Sequence, residues 1–339
     1  MRISIIGAGS FGTTLAQVWA ESGHDVSVFA REPEVVASIN EDHRNCLFYP
    51  EVELHPAISA SRDIGEALTG AEVVILAVPA KYLRGFMAGL AGAWASAQPA
   101  AGIPLVSVIK GFLYDPTELV SNFVNAQLAK SGEFTWVQFC GPTISSEVIQ
   151  GQPTAAVVAC QDTEVAEKLQ AELSTSSLRL YTSRDVIGVE VNGAVKNVLA
   201  LACGMAAGLD LGVNTRSVLV TRGLVEMKRL LQVFGAEAET VMGLSGLGDL
   251  VTTGFSENSR NFAMGKLLTT GKTLEDIESS TRQVAEGVRT TRAIVEYINE
   301  DSPDVELPII REVYAVIYEG KTPADAIKAL MGRPLKEEK

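Results

Sequence analysis

Residues 2–12, Arg-Ile-Ser-Ile-Ile-Gly-Ala-Gly-Ser-Phe-Gly, run one short apolar strand directly into Gly7-x-Gly9-x-x-Gly12. With 30 glycines in 339 residues the bare motif carries little weight. Its context carries more, because a helical pattern follows (Thr14, Leu15, Val18, Trp19) and a second β-rich run at 25–30 comes after the stop Glu21-Ser22-Gly23-His24. In such a unit Gly7 permits the tight turn and Gly9 lets backbone approach a pyrophosphate. Gly12 lets helix and strand pack closely, and the helix N-terminus holds the negative charge. The alternative is a glycine turn in a doubly wound fold that binds no dinucleotide.

The end of the second strand tunes the choice of dinucleotide. A carboxylate there suits the ribose hydroxyls of NAD, and an arginine suits the 2′-phosphate of NADP. The run Val28-Phe29-Ala30-Arg31-Glu32 supplies both, Arg31 first, so NADP is expected to be accepted and NAD remains open. Arg31 as a solvated loop charge is the plainer reading.

Apolar runs at 72–78, 103–109, 135–139, 154–159 and 178–182 continue the alternation with segments long enough for crossover helices, such as 116–130 and 162–173. Several are runs of Val, Ile and Ala without two-residue alternation, which fits a sheet covered on both faces. From residue 188 helical periodicity takes over, through 189–207, 215–234, 260–268, 287–298, 308–318 and 323–330. Thr322-Pro323-Ala324-Asp325 reads as a helix start, and Gly235, Gly271 and Gly320 as helix stops. The expected fold is therefore an α/β N-terminal Rossmann (doubly wound) domain over 1–187 and an all-α C-terminal domain over 188–339.

At 47% hydrophobic residues the chain can bury two cores. A net charge of −13 argues against nucleic acid or an anionic membrane surface as partner, so an anionic ligand needs a local cluster of Lys and Arg. A strand starting at residue 2 leaves no room for a signal peptide, and no apolar stretch reaches membrane-spanning length without a charge. Cys46, Cys140, Cys160 and Cys203 are scattered, as are three histidines, so neither a disulfide framework nor a metal site is expected. These features point to a cytoplasmic protein.

Chemistry-bearing islands follow at strand ends and in the helical half. Lys110-Gly111 closes the apolar run 104–109, and Gly141-Pro142-Thr143 closes 135–139. Strand ends are where an open α/β sheet meets its ligand, so Lys110 reads either as a solvated terminus or as an anion ligand. Thr143 reads equally as an N-cap. Asn192-Gly193-Ala194-Val195-Lys196-Asn197 puts Lys196 inside a helix of Val, Leu and Ala, with Asn192 four residues earlier on the same face. A lysine there either snorkels at an edge or is placed for a purpose. Gly243-Leu-Ser-Gly246-Leu-Gly248-Asp249 is a glycine-rich turn that delivers a carboxylate, and Ser259-Arg260-Asn261 opens a helix as a phosphate seat or as an ordinary serine cap.

Together these islands carry a resemblance. With GAGSFG at 7–12, Lys110-Gly111, Gly141-Pro142-Thr143, GVEVNGAVKN at 188–197, VTRGLVEM at 220–227, GLGDLVTT at 246–253, Ser259-Arg260-Asn261 and Val284-Ala-Glu286-Gly287, the chain resembles the bacterial-type NAD(P)-dependent sn-glycerol-3-phosphate dehydrogenase family from residue 1 to about 334. The resemblance implies Lys196 as general base in glycerol-phosphate oxidation and general acid in dihydroxyacetone phosphate reduction. It makes Lys110 a contact to substrate and cofactor, and Gly141 and Thr143 substrate contacts. It gives Asp249, Arg260 and Asn261 the substrate hydroxyl and phosphate.

Ser10, Phe11, Arg31, Ser145, Ser259, Arg260, Val284 and Glu286 are then cofactor contacts beside the three fingerprint glycines. Ser145 stands where the family often has alanine, and Asn192 where it often has glycine. The resemblance further implies a homodimer and a place in phospholipid biosynthesis.

The charges agree with it. Three cations from distant segments (Lys110, Lys196, Arg260) can balance a phosphorylated dianion. A free lysine, near pKa 10.4, is a poor base at neutral pH. Burial and a neighbouring Lys110 would favour the amine, and Asp249 would oppose them. Lys196 is expected to take the C2 hydroxyl proton as hydride leaves for nicotinamide C4, with Lys110 stabilising the oxyanion. Two other readings stay open: a Rossmann-plus-helical reductase of β-hydroxyacid or ketopantoate type, and a non-catalytic NAD(P)H sensor.

Overall fold

The computed structural model describes residues 1–272, 274–280, 285–335 and 337–338, without the side chains of 278 and 280. The chain divides into two compact units, one of residues 1–110 with 118–190, the other of 111–117 with 191–339. The division falls three residues beyond the expected one, and the segment 111–117, expected in the first domain, groups with the second.

The first unit is built on eight strands: β1 (Arg2–Ile6), β2 (Asp25–Phe29), β3 (Ile58–Ser61), β4 (Val73–Leu76), β5 (Ile103–Ser107), β6 (Phe134–Cys140), β7 (Thr154–Ala159) and β8 (Leu178–Ser183). They form one sheet in the order β3-β2-β1-β4-β5-β6-β7-β8. All neighbours are parallel except β6 and β7, which are antiparallel. The first six strands thus have the order of a dinucleotide-binding sheet, with the direction of progression reversing beside β1. The reversal at β7 is not visible in apolar runs, which fix that a strand is buried but not which way it runs.

Helices α1 (Ser10–Glu21), α2 (Pro33–Asp42), α3 (Ile64–Leu68), α4 (Ala80–Ala97), α5 (Val120–Leu128), α6 (Ser145–Val148) and α7 (Thr163–Leu173) connect these strands. The core joins Ile3, Ile5, Val28, Ile75, Val106 and Phe139 of the sheet to Leu15 and Trp19 of α1 and Leu169 of α7, all at most 1% exposed. Each such side chain is worth about 1.5–3 kcal/mol of burial, and that is what holds the β1–α1 corner still. The Trp19 indole also donates to the Leu173 carbonyl at 3.1 Å, so its polar edge is satisfied.

The second unit is helical. It comprises α8 (Val186–Gly208, its first five residues grouping with the first unit), α9 (Val213–Val233), α10 (Asp249–Phe255), α11 (Arg260–Leu267), α12 (Leu274–Ser280), α13 (Glu286–Asp301), α14 (Pro308–Tyr318) and α15 (Pro323–Met331). Thr322 caps α15 as its sequence suggests, accepting from the Asp325 N–H at 3.1 Å. Gly235, Gly271 and Gly320 take left-handed φ of 71°, 77° and 73° just beyond helical segments. Helix α8 is long and apolar enough to cross a membrane by composition, yet 94% of its apolar window is buried in protein, which makes it a core helix.

Helix α14 begins on an unusual cap. Pro308 needs no hydrogen-bond acceptor, and the next two N–H groups, of Ile309 and Ile310, donate to Glu226 Oε1 and Oε2 at 2.7 and 3.0 Å. Glu226 lies on α9 and is buried. Burial pushes its carboxyl up to about 7, against the two backbone donors that favour the anion.

Candidate functional sites in the two units

In the first unit the fingerprint has the geometry a dinucleotide requires. Gly7 has φ +124°, outside the range of other residues, and its N–H bonds the Phe29 carbonyl at 3.1 Å. A Cβ on Gly12 would run into the Gly7 carbonyl oxygen, so only glycine lets α1 start this close to β1. Gly9 is the contrast: a Cβ there would meet nothing within 4 Å. Gly9 is the N-cap of helix α1 and no side chain caps it, so the helix begins without a side-chain acceptor beside the open space at Gly9. An uncapped helix N-terminus facing room for a ligand fits a pyrophosphate, so these residues fit NAD(P).

The surroundings are set by a loop that no sequence motif marks. Buried Asn45 donates to the Ala8 carbonyl at 2.9 Å and to Thr13 Oγ1 at 2.8 Å. Its own carbonyl oxygen accepts from the N–H groups of Leu47 and Phe48. Tyr49 then shares hydrogen bonds with the Ser10 and Thr14 hydroxyls at 2.9 and 3.0 Å. Nothing in the sequence flags Asn45 or Tyr49 as neighbours of the fingerprint, since Ala8, Thr13, Ser10 and Thr14 are more than 30 residues away from them. Phe11 packs at ring distance 6.0 Å from Phe139, and the Ser145 carbonyl accepts from Thr14 at 3.3 Å.

Arg31 follows β2, its side chain 80% exposed and paired with Glu32 at 2.7 Å. An exposed pair of this kind contributes little to stability, so Arg31 is able to exchange Glu32 for a phosphate. At the end of β5, Lys110 donates to the Gly141 carbonyl at 2.9 Å and lies 3.4 Å from Thr143 Oγ1. Thus Lys110, Gly141 and Thr143, from two strand ends 31 to 33 residues apart, are brought together.

In the second unit Lys196 is buried on α8, its ammonium 2.9 Å from Asp249 Oδ1 and 2.6 Å from Thr253 Oγ1. Thr253 donates its own proton to Asp249 Oδ1 at 3.0 Å, closing a triangle of donors and acceptors. The side chains of Lys196 and Asp249 are 6% and 2% exposed, so the lysine does not snorkel. Asp249 reaches this position because a π-helical turn, Leu244–Gly248, runs into the first residue of α10. Thr253, not among the residues the sequence singles out, is detectable in principle: it stands four residues after Asp249, one helical turn on.

A second buried network joins the remaining islands. The Asn261 amide donates to Asn197 Oδ1 at 2.8 Å, and its carbonyl oxygen accepts from the Gly287 N–H at 2.9 Å. The residues next to these three in sequence are Arg260, Lys196 and Glu286. One amide relay therefore fixes the starts of α11 and α13 against α8. A side chain at Gly287 would crowd the Asn197 carbonyl and Asn261, which explains the glycine. Ser259 caps α11 by accepting from the Phe262 N–H at 3.2 Å, while Arg260 is exposed. Val284 lies outside the described residues.

Two family models match the chain. One, described as the N-terminus of NAD-dependent glycerol-3-phosphate dehydrogenase, matches residues 2–166, and its C-terminal counterpart matches residues 185–328. The chain is 41% identical over 338 residues to a glycerol-3-phosphate dehydrogenase [NAD(P)+] of Nitratidesulfovibrio vulgaris strain DP4, covering 100% of each. It is 42% identical over 337 residues to that of Rhodospirillum rubrum, covering 99% of this chain and 94% of the relative. Among solved structures, glycerol-3-phosphate dehydrogenase from Coxiella burnetii superposes with TM-score 0.89 at 31% identity, covering 98% of this chain and 99% of that one.

Proposed function

The chain belongs to the NAD-dependent glycerol-3-phosphate dehydrogenase family, and from that premise we propose that it interconverts sn-glycerol 3-phosphate and dihydroxyacetone phosphate with NAD(P)(H), Lys196 acting as the general acid/base. The observation that carries the assignment of Lys196 is its burial against Asp249 and Thr253. An ammonium with two fixed acceptors and no bulk water has a defined direction in which to hand over a proton.

Bound at the uncapped start of α1, the dinucleotide would supply or accept the hydride; Gly9 leaves room for its pyrophosphate and Arg31 offers a cation for a 2′-phosphate. In the reducing direction Lys196 protonates the C2 oxygen of the substrate. Asp249 favours the ammonium beforehand and compensates its charge. Thr253 keeps Lys196 Nζ and Asp249 in register and can return a proton through its hydroxyl. In oxidation the same lysine, as the amine, receives the C2 hydroxyl proton.

Arg260 at the start of α11 is read as the phosphate ligand, with Asn261 setting the backbone it stands on through Asn197 and Gly287. Lys110, held to Gly141, is the second cation for the developing oxyanion. Gly141 and Thr143 are substrate contacts in the same reading, and Ser10, Phe11, Ser145, Ser259, Val284 and Glu286 cofactor contacts. A homodimer and a supply of glycerol phosphate to phospholipid synthesis are proposed on family resemblance alone.

The carboxylate-reductase and sensor readings lose their ground, since both family models describe a dehydrogenase of a phosphorylated polyol. The test follows NADPH oxidation with dihydroxyacetone phosphate against unphosphorylated dihydroxyacetone and ketopantoate. The phosphorylated ketone should turn over, and Arg260→Ala should raise its KM by roughly tenfold or more, the worth of a charge-assisted contact. Turnover of ketopantoate alone would overturn the assignment.

A further inference from the structure

Asn192 stands one helical turn before Lys196 on α8, and it is fully buried. Its amide nitrogen donates to the Thr240 carbonyl at 3.0 Å and to Ser245 Oγ at 3.3 Å. The same Thr240 carbonyl accepts from the Gly243 N–H at 3.2 Å, and the Gly243 carbonyl accepts from the Gly248 N–H at 3.2 Å. The two contacts of Asn192 therefore fall on the turn that precedes Asp249 and on the π-helical turn that delivers it. One turn later on α8, Lys196 meets Asp249 and Thr253. Helix α8 thus grips the segment 240–253 at two points four residues apart.

The other half of the amide points the same way. Asn192 Oδ1 is buried with no hydrogen-bond partner. An orphaned acceptor destabilises the fold, and a small apolar residue at this position would not carry that penalty. What the asparagine adds is two donors, and both engage the turn that carries the catalytic carboxylate.

We propose that Asn192 is a positioning residue for the Lys196–Asp249–Thr253 site, acting on proton transfer through the orientation of Asp249. The proposal rests on the catalytic reading above. It requires that Asn192 matter to turnover and not to binding, and that its effect vanish once Asp249 no longer carries a charge.

The experiment is a double-mutant cycle on the full chain, with dihydroxyacetone phosphate and saturating NADPH, using Asn192→Ala, Asp249→Asn and the pair. The Asp249→Asn proteins are assayed at raised enzyme concentration. Asn192→Ala should lower kcat about tenfold with KM and NADPH affinity within about twofold, and should lower kcat less than about twofold in the Asp249→Asn background. Ser245→Ala, which removes one of the two acceptors and leaves the helix intact, should lower kcat about threefold with the same loss of effect beside Asp249→Asn; it carries the test if Asn192→Ala does not fold. Equal losses in both backgrounds, or an unchanged kcat, would overturn the proposal while leaving the catalytic reading in place. A wild-type protein inert toward dihydroxyacetone phosphate would overturn that reading, and this proposal with it.

Discussion

The two units prepare for their ligands in opposite ways. In the first, the proposed anion site is made of backbone: three glycines, an uncapped helix start and open space over Gly9. Arg31, the proposed ligand of a 2′-phosphate, is exposed and paired with Glu32. In the second, the proposed reactive group is a side chain buried among side chains, with Lys196, Asp249 and Thr253 hydrogen-bonded to one another. Binding a dinucleotide asks for shape and partial charge, which backbone supplies. Moving a proton asks for a group whose charge is controlled, and that control needs burial and fixed partners.

The contrast predicts that damage to the second unit separates chemistry from cofactor binding. Lys196→Ala should cut turnover by about 10³-fold or more while leaving NADPH affinity within about twofold, as read by titration of nucleotide fluorescence and steady-state rates. The substitution also strands a buried carboxylate, at a cost of about 3–5 kcal/mol, so its melting temperature should fall. Converting both members, Lys196→Met with Asp249→Leu, should recover most of that stability and none of the activity. Recovered activity in the pair would place the acid/base elsewhere.

The next effect lies in the same unit but away from the lysine. Because burial lifts Glu226 to about 7, the folded chain holds its proton over a range in which the unfolded chain has lost it. Between about pH 4.5 and 7 the native state binds more protons than the unfolded state, so this group makes stability fall as pH rises through that window. The loss is on the order of 3 kcal/mol across the window, from about 1.36 kcal/mol per pKa unit. Urea unfolding at pH 5, 6 and 7 should show the decline in wild type, and Glu226→Gln, which cannot ionise, should flatten it. A decline unchanged in Glu226→Gln would assign the dependence to other groups.

Smallest is the effect in the exposed half. Arg31→Ala should raise KM for NADPH by about tenfold and leave NADH within about twofold, narrowing the dual preference without touching kcat. Equal losses for both cofactors would mean that Arg31 supports the fold of the loop and not the 2′-phosphate.

The same contrast explains which parts of the molecule are legible in its sequence. A site built from backbone is written in consecutive residues, so Gly7, Gly9 and Gly12 declare the turn and point to the proposed dinucleotide. The strand ends at Lys110 and Gly141 follow from the general rule for open sheets. In the buried triangle Lys196 stands 53 and 57 residues before Asp249 and Thr253, and no periodicity joins it to them. There the individual islands stand out only as a lysine in an apolar helix and a glycine-rich turn. Family resemblance, and not spacing, ties them together.

Thr253 and Asn45 escape notice because hydroxyl and amide side chains are common in caps and turns. Strand β3, with Ile58 and Ala60 as its only apolar residues, offers too little apolar pattern to announce itself. Helix α10 is hidden by the glycines that precede it, which read as loop although they wind into its first turn.

The central claim, that the buried lysine of the helical unit moves the proton, is tested most directly by absorbance at 340 nm with dihydroxyacetone phosphate and NADPH. The proteins compared are wild type and Lys196→Met with Asp249→Leu. Wild type should oxidise NADPH steadily, and the paired variant should be folded, bind NADPH and oxidise none of it. Turnover by the folded pair at a rate near that of wild type would contradict the claim.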